Sequence, residues 1–409
     1  MPKHSPILAL HERAEAITET YGPPEAGVTV VQTYGQFEVE YACLRKGAVL
    51  LDLPNRAALV VTGPDRQSFL NSMLTNELKG VAAGQSQCAF WLSRKGRIDA
   101  DVRVQILSDR IVLDVDTHAH DRTLKTLASY IIMEQCELAS LEAATHRLAL
   151  HGPSSAAILA SLVDAADREA VAAIARDTVI EATIAGHRVI IDRCDSTGEI
   201  GLELTVPTDA AVVIYTAILD RGTHPPQAEG DAPAQLHGGH QRPAFRPAGW
   251  AAYNIARIEA GTPLYYIDFG PDSLPAESSL MASRVSFTKG CYLGQEIVAR
   301  MHSLGAPKQR LVALLMSDTQ SPPRQPVTGN FVFAAEATSN TAEPCGAMTS
   351  SALSPMLGNA PIGLAMIKSK SLPPMAGGDQ PARAFKVEAD GELLTGELQP
   401  QMAFWPRRP

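Results

Sequence analysis

The chain has 409 residues, of which 45% are hydrophobic and 19% charged, and its formal net charge is −9 at pH 7. This composition is that of an ordinary globular protein, and the length predicts two or three domains. The acidic balance excludes a broad basic surface for nucleic acid, and no apolar run approaches the ~20 residues that span a bilayer, so we expect a cytoplasmic protein with no direct nucleic-acid partner and no membrane partner.

The first part of the chain alternates between helical and strand-like patterns. Periodicity predicts a helix over residues 7–20, another over 37–45, a strand at 58–62 and a helix at 65–74. Further strands are predicted at 88–92, 98–107 and 110–116, and a helix at 121–137. Within 98–107 apolar and polar residues alternate, which is typical of a strand with one buried face.

A short unit of this pattern occurs twice. The segment 59–64, followed by a predicted helix, resembles the segment 148–153, which is followed by a similar helix. The offset is 89 residues, and it aligns Gly63 with Gly152 and Pro64 with Pro153. A strand, a Gly-Pro turn and a helix repeated in this way predict two similar α+β portions.

The second half of the chain contains a stretch of unusual composition. Residues 221–247 are rich in Pro, Gly, Gln and His and predict a loop or an insertion. The spacing of His237 and His240 fits metal ligands, but histidines in such loops usually bind nothing, and we predict no metal site. Beyond residue 307, short β-like segments alternate with turns, which indicates a small β domain.

The six cysteines are far apart in the sequence, and no two lie closer than 45 residues. This spacing excludes a Cys-x-x-Cys motif for zinc, haem or thiol exchange, and it argues against an iron–sulfur cluster held by this chain alone. We predict that five cysteines are packing residues and that Cys291 is the candidate for chemistry.

Cys291 lies in the octapeptide 289–296, the part of the chain with the highest local density of residues that can take part in catalysis or ligand binding. Lys289 precedes it by two residues, and a nearby ammonium group stabilises a thiolate. Glycines at 290 and 294 allow unusual backbone angles there. Two interpretations are open: a reactive thiol, or a small buried apolar residue in a turn that leads into a helix.

The octapeptide Lys-Gly-Cys-Tyr-Leu-Gly-Gln-Glu resembles the signature of the YgfZ group in the folate-binding YgfZ/T-protein superfamily. The resemblance implies binding of tetrahydrofolate and support of iron–sulfur cluster assembly or repair, especially of 4Fe–4S clusters, in client proteins. As a hypothesis, Cys291 acts as a catalytic thiol near the mouth of the folate pocket, and three uses stay open for it: transient ligation of iron, oxidation and re-reduction, or pairing with a client protein. The residues that would support this motif are Lys289, Gly290, Tyr292, Gly294, Gln295 and Glu296.

Three other segments resemble the T-protein (aminomethyltransferase) branch of that superfamily. In 197–203, the resemblance assigns pterin binding to Glu199, and a carboxylate can accept two hydrogen bonds from a pterin edge. In 256–261 it assigns folate binding to Arg257, whose guanidinium group suits the carboxylates of a folate tail. Without the resemblance, both are ordinary charged residues of a turn and a helix face.

The third segment, 96–101, places Asp101 at the essential aspartate of that branch, beside the folate nitrogen that receives the one-carbon unit. The resemblance implies both a catalytic and a folate-binding role for Asp101. Ala100 stands where the branch has another aspartate, and a solvent-facing strand residue is the alternative for Asp101. Together the similar segments extend from about residue 30 to about residue 370.

The resemblance implies an α+β fold with the three-domain T-protein arrangement, in which two related α+β portions and a C-terminal β-barrel surround a folate pocket. We predict an N-terminal α+β portion at 1–145 and a second at 146–305, which contains loop 221–247 and the octapeptide. A β-barrel-like domain is predicted at 306–409.

The function implied is that of a tetrahydrofolate-binding accessory protein for iron–sulfur clusters in client enzymes, including tRNA-modifying ones. Its cofactor would be tetrahydrofolate or a one-carbon derivative, and its partners would be iron–sulfur client or assembly proteins. The alternative is a folate-dependent aminomethyltransferase or demethylase. A third possibility is an interaction protein that binds no folate.

Overall fold

The computed structural model describes residues 4–224, 245–304, 307–373 and 384–405. None of the helices in these ranges combines the length and apolar character that crossing a membrane requires. The first elements are α1 (Leu8–Arg13), β1 (Ile17–Tyr21), β2 (Val28–Thr33), α2 (Phe37–Lys46), β3 (Ala48–Asp52), β4 (Arg56–Thr62), α3 (Arg66–Met73), β5 (Ser86–Leu92), β6 (Ile98–Ile106), β7 (Ile111–Asp116), α4 (Thr117–Ala128) and β8 (Glu137–Ser140).

The remaining elements complete a second α+β portion and a β domain. They are β9 (Thr145–His151), α5 (Ser155–Ala160), α6 (Arg168–Ala172), β10 (Val179–Ile184), β11 (His187–Arg193), β12 (Gly201–Pro207), α7 (Ala211–Thr223), β13 (Phe245–Pro247), α8 (Trp250–Glu259), α9 (Met281–Arg284), α10 (Gln295–Leu304), β14 (Gln309–Ser317), β15 (Phe331–Ala334), β16 (Gly346–Ser354), β17 (Ala360–Lys368), β18 (Ala384–Ala389) and β19 (Glu392–Leu398).

The first sheet has the strand order β5-β6-β7-β4-β8, and all its neighbouring strands are antiparallel. Side chains alternate between the faces of a strand. On β6, Val102 and Val104 therefore join α3 and α4 in an apolar core, while Asp101 and Arg103 point to the opposite face. This sheet thus has one apolar face and one charged face.

The second sheet has the order β10-β11-β12-β9-β3-β13, with a parallel pair only at β3 and β13 among its described strands. This sheet also has one apolar face and one charged face, because Leu202 and Leu204 of β12 lie in its apolar core while Glu203 points to the other face. The charged faces of the two sheets meet, as the ion pair between Arg103 of β6 and Asp192 of β11 shows (2.8 Å).

The C-terminal strands close into a barrel in the order β14-β17-β16-β15-β18-β19, and β14 pairs with β19 to complete it. The α+β fold with a C-terminal β-barrel is therefore confirmed. A buried hydrogen bond joins the barrel to α8, because Arg257 of α8 donates to the Ser350 hydroxyl of β16 (2.5 Å). Arg257 also forms a buried ion pair with Asp268, which lies between α8 and α9 (2.5 Å).

The repeated turn predicted from the sequence is present at both places. Gly63 follows β4 with φ +96°, and Gly152 follows β9 with φ +132°. A Cβ atom would lie 2.3 Å from the Gln135 carbonyl oxygen at Gly63 and 2.4 Å from the Gly47 carbonyl oxygen at Gly152. Only glycine meets both the backbone angle and the close approach.

The N-terminal segment differs from the sequence prediction. Instead of one helix over 7–20, α1 ends at Arg13 and β1 follows, paired with β2. Glu15 has φ +54°, which ends the helix, and the β-branched residues Ile17, Thr18 and Thr20 favour the strand. In the predicted loop 221–247, α7 continues to Thr223 and β13 begins at Phe245, while residues 225–244, including His237 and His240, lie outside the described residues.

The chain crosses more than once between the two α+β portions. Ile7 and Leu50 lie in the core of the second sheet, although in the sequence they come before the strands of the first sheet. Conversely, Tyr292 of the octapeptide lies in the core of the first sheet. The domain limits at 145/146 and 305/306 stay predictions.

Candidate functional site

A cavity of about 100 Å³, here called the inner cavity, lies where the charged faces of the two sheets meet. The strand alternation places the carboxyl groups of Asp101, Asp114, Asp116 and Glu203 on its wall. The guanidinium groups of Arg56, Arg103 and Arg284 and the aromatic rings of Tyr21, Trp250 and Tyr253 line it as well.

A second cavity of about 520 Å³, here called the mouth, shares several lining residues with the inner cavity. The shared residues include Cys88, Arg103, Cys194 and Arg284. The mouth adds Arg176 and the amide side chains of Asn76, Gln85 and Gln87. A ligand with a ring and a charged tail would therefore meet carboxyl and aromatic groups inside and guanidinium and amide groups outside.

Asp114 and Glu203 form a pair of acids in the inner cavity whose pKa values shift in opposite directions. Burial raises the pKa of Asp114, but Arg147 (3.2 Å) and Arg56 (3.1 Å) outweigh burial and hold it below its ordinary value. Burial and the neighbouring charge of Asp114 raise the pKa of Glu203 to about 7. Glu203 is thus able to hold a proton near neutral pH, and Asp114 stays ionised.

Asp116 is held by two hydrogen bonds. Its carboxylate accepts the hydroxyl of Tyr21 and the backbone N–H of His118 (2.8 Å), which makes it the N-cap of α4. Burial raises the pKa of Asp116, although these two hydrogen bonds oppose the shift. This carboxyl group is therefore fixed in position at the cavity wall.

Asp101, predicted from the sequence, lines the inner cavity. Its carboxylate is paired with the guanidinium group of Arg284, with N···O distances of 3.2 and 3.4 Å. Arg284 ends α9, seven residues before Cys291, so the segment just before the octapeptide supplies a partner to the cavity. Arg284 was not among the sequence predictions.

The other two predicted folate residues lie elsewhere. Glu199 is buried beside Arg45 (3.4 Å) and does not line the inner cavity or the mouth. Arg257 is fully buried and lines a separate cavity of about 260 Å³ between α8 and the barrel, together with Trp250 and Asn254. The three predicted residues are thus not gathered around one cavity, and Trp250 forms a wall common to both cavities.

Sequence reasoning missed Glu203, although it ends the same motif, 197–203, that drew attention to Glu199. On β12, Glu203 lies between two buried leucines in the sequence and therefore points to the other face of the strand. This alternation was the sequence signal that could have identified Glu203. Arg103 and Asp114 were missed for the same reason, because a charged residue on a half-buried strand is usually assigned to solvent.

The octapeptide is anchored by Lys289. Its buried ammonium group donates hydrogen bonds to the backbone carbonyls of Asn71 (2.5 Å), Leu74 (2.7 Å) and Asn76 (2.8 Å) at the end of α3. Burial lowers the pKa of Lys289 to about 8. The ammonium group is therefore bound to carbonyl oxygens, a structural role that the sequence interpretation of Lys289 did not include.

Cys291 is exposed, so the interpretation as a small buried residue is wrong. Gly290 is exposed as well, whereas Tyr292 is buried, and Gly294 has φ +81°. Gln295 and Glu296 begin α10. Cys291 does not line the inner cavity or the mouth, and its catalytic role stays a prediction.

The other cysteines divide into two groups. Cys43, Cys136 and Cys345 are buried, as packing residues are expected to be. Cys88 and Cys194 differ from the prediction, because both are partly exposed and line the inner cavity and the mouth. The Arg103 guanidinium group lies 3.7 Å from the Cys88 sulfur.

One group of possible metal ligands occurs among the described residues, away from the cavity. The ligand atoms of His120, Asp121 and Glu142 lie within 4.8 Å of one another. Nδ1 of His120 is 2.9 Å from Asp121, and its Nε2 is 2.9 Å from the Ser140 hydroxyl. These hydrogen bonds satisfy both ring nitrogens without a metal ion.

The fold and the cavity define a protein with two α+β portions, each built on one sheet, and a C-terminal barrel. A charged, aromatic-lined site lies between the two sheets. A sequence profile of the GCVT N-terminal domain matches residues 12–230, more than half of the chain. The chain belongs to this family, which confirms the T-protein-like part of the sequence prediction.

Curated relatives cover most of the chain. An aminomethyltransferase of Bacillus subtilis (strain 168) is 27% identical over 373 residues, covering 91% of this chain and 92% of the relative. An aminomethyltransferase of Geobacillus kaustophilus (strain HTA426) is 26% identical over 402 residues, covering 98% of each. The crystal structure of glycine cleavage system aminomethyltransferase T from Bartonella henselae superposes with a TM-score of 0.80 at 22% identity, over 100% of this chain and 99% of that one, which shows the same fold.

Proposed function

We propose that the inner cavity binds the pterin ring of tetrahydrofolate, or of a one-carbon derivative, and that the protein is a folate-dependent aminomethyltransferase. The observation that carries this proposal is the convergence of Glu203, Asp114 and Asp116 in an aromatic-lined cavity. A pterin presents an amino group and ring N–H groups on one edge, and carboxyl groups are suitable acceptors for them.

The mouth suits the remainder of such a ligand. A folate tail ends in carboxylates, and Arg103, Arg176 and Arg284 line the mouth. These guanidinium groups already contact aspartates, so a tail would have to share or replace those partners. Arginine suits this exchange because its planar group can bind carboxylates through two N–H groups.

In the transfer reaction, the one-carbon unit would leave an aminomethylated carrier protein and its own amino group and bond to two folate nitrogens, forming methylenetetrahydrofolate. The two protons displaced from these nitrogens would go to the freed carrier group and to the departing ammonia. Asp101 is the cavity carboxylate that would stabilise a cationic one-carbon intermediate. Its ion pair with Arg284 has to loosen or rotate for that role. The names of the curated relatives support this reaction class.

A second candidate function is the YgfZ-type one, in which tetrahydrofolate binding supports the assembly or repair of 4Fe–4S clusters in client enzymes such as tRNA-modifying ones. The observation that favours it is the exposed Cys291 on a turn that Lys289 anchors to the end of α3. An exposed thiol outside the folate cavity has no evident use in aminomethyl transfer, but a client or assembly protein can reach it.

Binding is the first test. Tetrahydrofolate affinity would be measured anaerobically by calorimetry for the wild type, Glu203→Gln and Glu199→Gln. At pH 8, above the pKa of about 7 for Glu203, we expect Glu203→Gln to weaken binding by about tenfold or more, because the pterin edge then loses a charged carboxylate acceptor in the cavity. Glu199→Gln is the matched control from the same motif. No binding by folded wild type would reject both candidates in favour of an interaction protein without folate.

Activity separates the two candidates. A transferase should form methylenetetrahydrofolate from aminomethylated carrier protein, with loss in Asp101→Asn and retention in Cys291→Ser. A YgfZ-type protein should instead restore the product of a 4Fe–4S tRNA-modifying enzyme in a bacterial strain that lacks its own such protein, and Cys291→Ser should fail at matched expression. Rescue without transfer activity would replace our first candidate by the second.

A further inference from the structure

Asn55 lies in the short link between β3 of the second sheet and β4 of the first. Its backbone carbonyl accepts the N–H of Thr117 (2.9 Å), which fixes the link to the beginning of α4. Its side chain is 6% exposed and lines the inner cavity. Asn55 is therefore held where the two sheets and the cavity meet.

The Tyr21 hydroxyl is the polar neighbour of the Asn55 amide group. The Tyr21 hydroxyl donates its proton to Asp116, so its oxygen is left to accept a hydrogen bond. The Asn55 side chain is the hydrogen-bonding neighbour that lowers the pKa of Tyr21 against the effect of burial. Of the two amide atoms only the nitrogen can donate, so the Asn55 nitrogen is the atom suited to the Tyr21 oxygen.

The amide oxygen is left without a partner. Within residues 4–224, 245–304, 307–373 and 384–405, no group donates a hydrogen bond to Oδ1 of Asn55, although this atom is buried. A buried acceptor that is not paired destabilises a protein, and native structures contain few of them. An unpaired acceptor on the wall of a cavity indicates a ligand with a matching donor.

We propose that Oδ1 of Asn55 accepts a ring N–H of the bound pterin and thereby selects reduced over fully oxidised folate. This inference rests on the proposed folate binding and adds the residue that selects which redox state of the folate is bound. The tetrahydropterin ring carries N–H groups at positions 5 and 8. The fully oxidised ring has acceptor nitrogens at both positions.

Selection follows from this difference. A tetrahydropterin N–H satisfies the Asn55 oxygen, whereas an oxidised ring leaves that oxygen unpaired or opposes it with a nitrogen lone pair. Sites built to hydrogen-bond a donor reject an analogue without it far more strongly than apolar pockets reject a changed shape. The carboxyl groups of Asp116 and Glu203 line the same cavity, so the amide oxygen is one of several acceptors there that N–H groups of a ligand can satisfy.

The test compares anaerobic affinities for tetrahydrofolate and folic acid. Wild type should prefer tetrahydrofolate, and Asn55→Leu, which keeps the size but removes the acceptor, should lose about tenfold or more in tetrahydrofolate affinity. Affinity for folic acid should change less than about threefold. Asn55→Ala provides a second variant in case leucine disturbs folding.

Gln105→Met is the matched control. Gln105 is fully buried and its Oε1 also lacks a partner among the described residues, but it does not line the inner cavity. It should leave the ratio of the two affinities unchanged. An unchanged ratio in both folded Asn55 variants would overturn this inference alone, whereas no folate binding by wild type would overturn the proposed function with it.

Discussion

Asp114 on β7 and Glu203 on β12 line the same cavity where the two sheets meet, close enough for the charge of Asp114 to raise the pKa of Glu203, and they lie 89 residues apart. The same spacing separates Gly63 from Gly152. The sheet interface therefore brings together equivalent positions of two repeated units. Because the two equivalent residues are both acids, one of them has to hold a proton, and the arginines beside Asp114 assign it to Glu203.

This assignment predicts a pH-dependent stability. The folded pKa of Glu203 is about 7, above its ordinary value of 4.5. Between these values the folded state binds more protons than the unfolded state, so the free energy of unfolding should decrease as the pH rises through this window. Glu203→Gln should remove this decrease, a difference on the order of 2 kcal/mol by pH 8.

Urea unfolding at pH 5, 6, 7 and 8 would check this prediction. Glu392→Gln is the control, because Glu392 is exposed on β19 and its removal should leave the pH profile parallel to that of wild type. Equal slopes for wild type and Glu203→Gln would show that Glu203 is not the protonated partner.

A second prediction concerns the anchor of the octapeptide. Lys289→Met should leave three backbone carbonyls without their donor, and we expect a loss of about 2–4 kcal/mol in the free energy of unfolding. Hydrogen exchange should become faster at residues 283–292 before the rest of the first sheet is affected. Lys95→Met, at an exposed lysine, should change neither quantity. Normal exchange at 283–292 in Lys289→Met would contradict the anchoring role.

The parts of the fold that the sequence predicted are those set by local rules. The alternation in β6 and the Gly63 and Gly152 turns depend on the residues themselves, and they occur as expected. The predicted helix at 7–20 failed because pairing with β2 outweighs helical periodicity in its second half. Strand pairing depends on residues distant in sequence, which a local pattern does not contain.

The same distinction applies to the site. Asp101 was found from a motif and lines the cavity, but its partner Arg284 lies 183 residues away in sequence. The cavity role of Cys88 and Cys194 likewise depends on how two sheets face each other. Sequence reasoning identified single residues in motifs, and it missed the groups that only the sheet interface brings together.

A third prediction uses these two thiols. Tetrahydrofolate should slow the alkylation of Cys88 and Cys194 by iodoacetamide about tenfold near saturation, because both line the cavity and its mouth. Cys291, exposed and outside both, should react at the same rate with and without ligand. Quantitative mass spectrometry of the labelled peptides measures all three in one sample. Equal rates at Cys88 and Cys194 with saturating ligand would place the folate elsewhere.

A fourth prediction separates two reasons for glycine at the repeated turn. Gly63→Ala and Gly152→Ala should each destabilise the protein by about 2 kcal/mol or more, because alanine there combines a positive φ with a backbone clash. Gly186→Ala is the matched control, since Gly186 has φ +81° but no atom within 4 Å of an added Cβ. It should cost about 1 kcal/mol, from the backbone angle alone. Similar losses for all three variants would show that the close approach of the turns to neighbouring backbone adds nothing to the requirement for glycine.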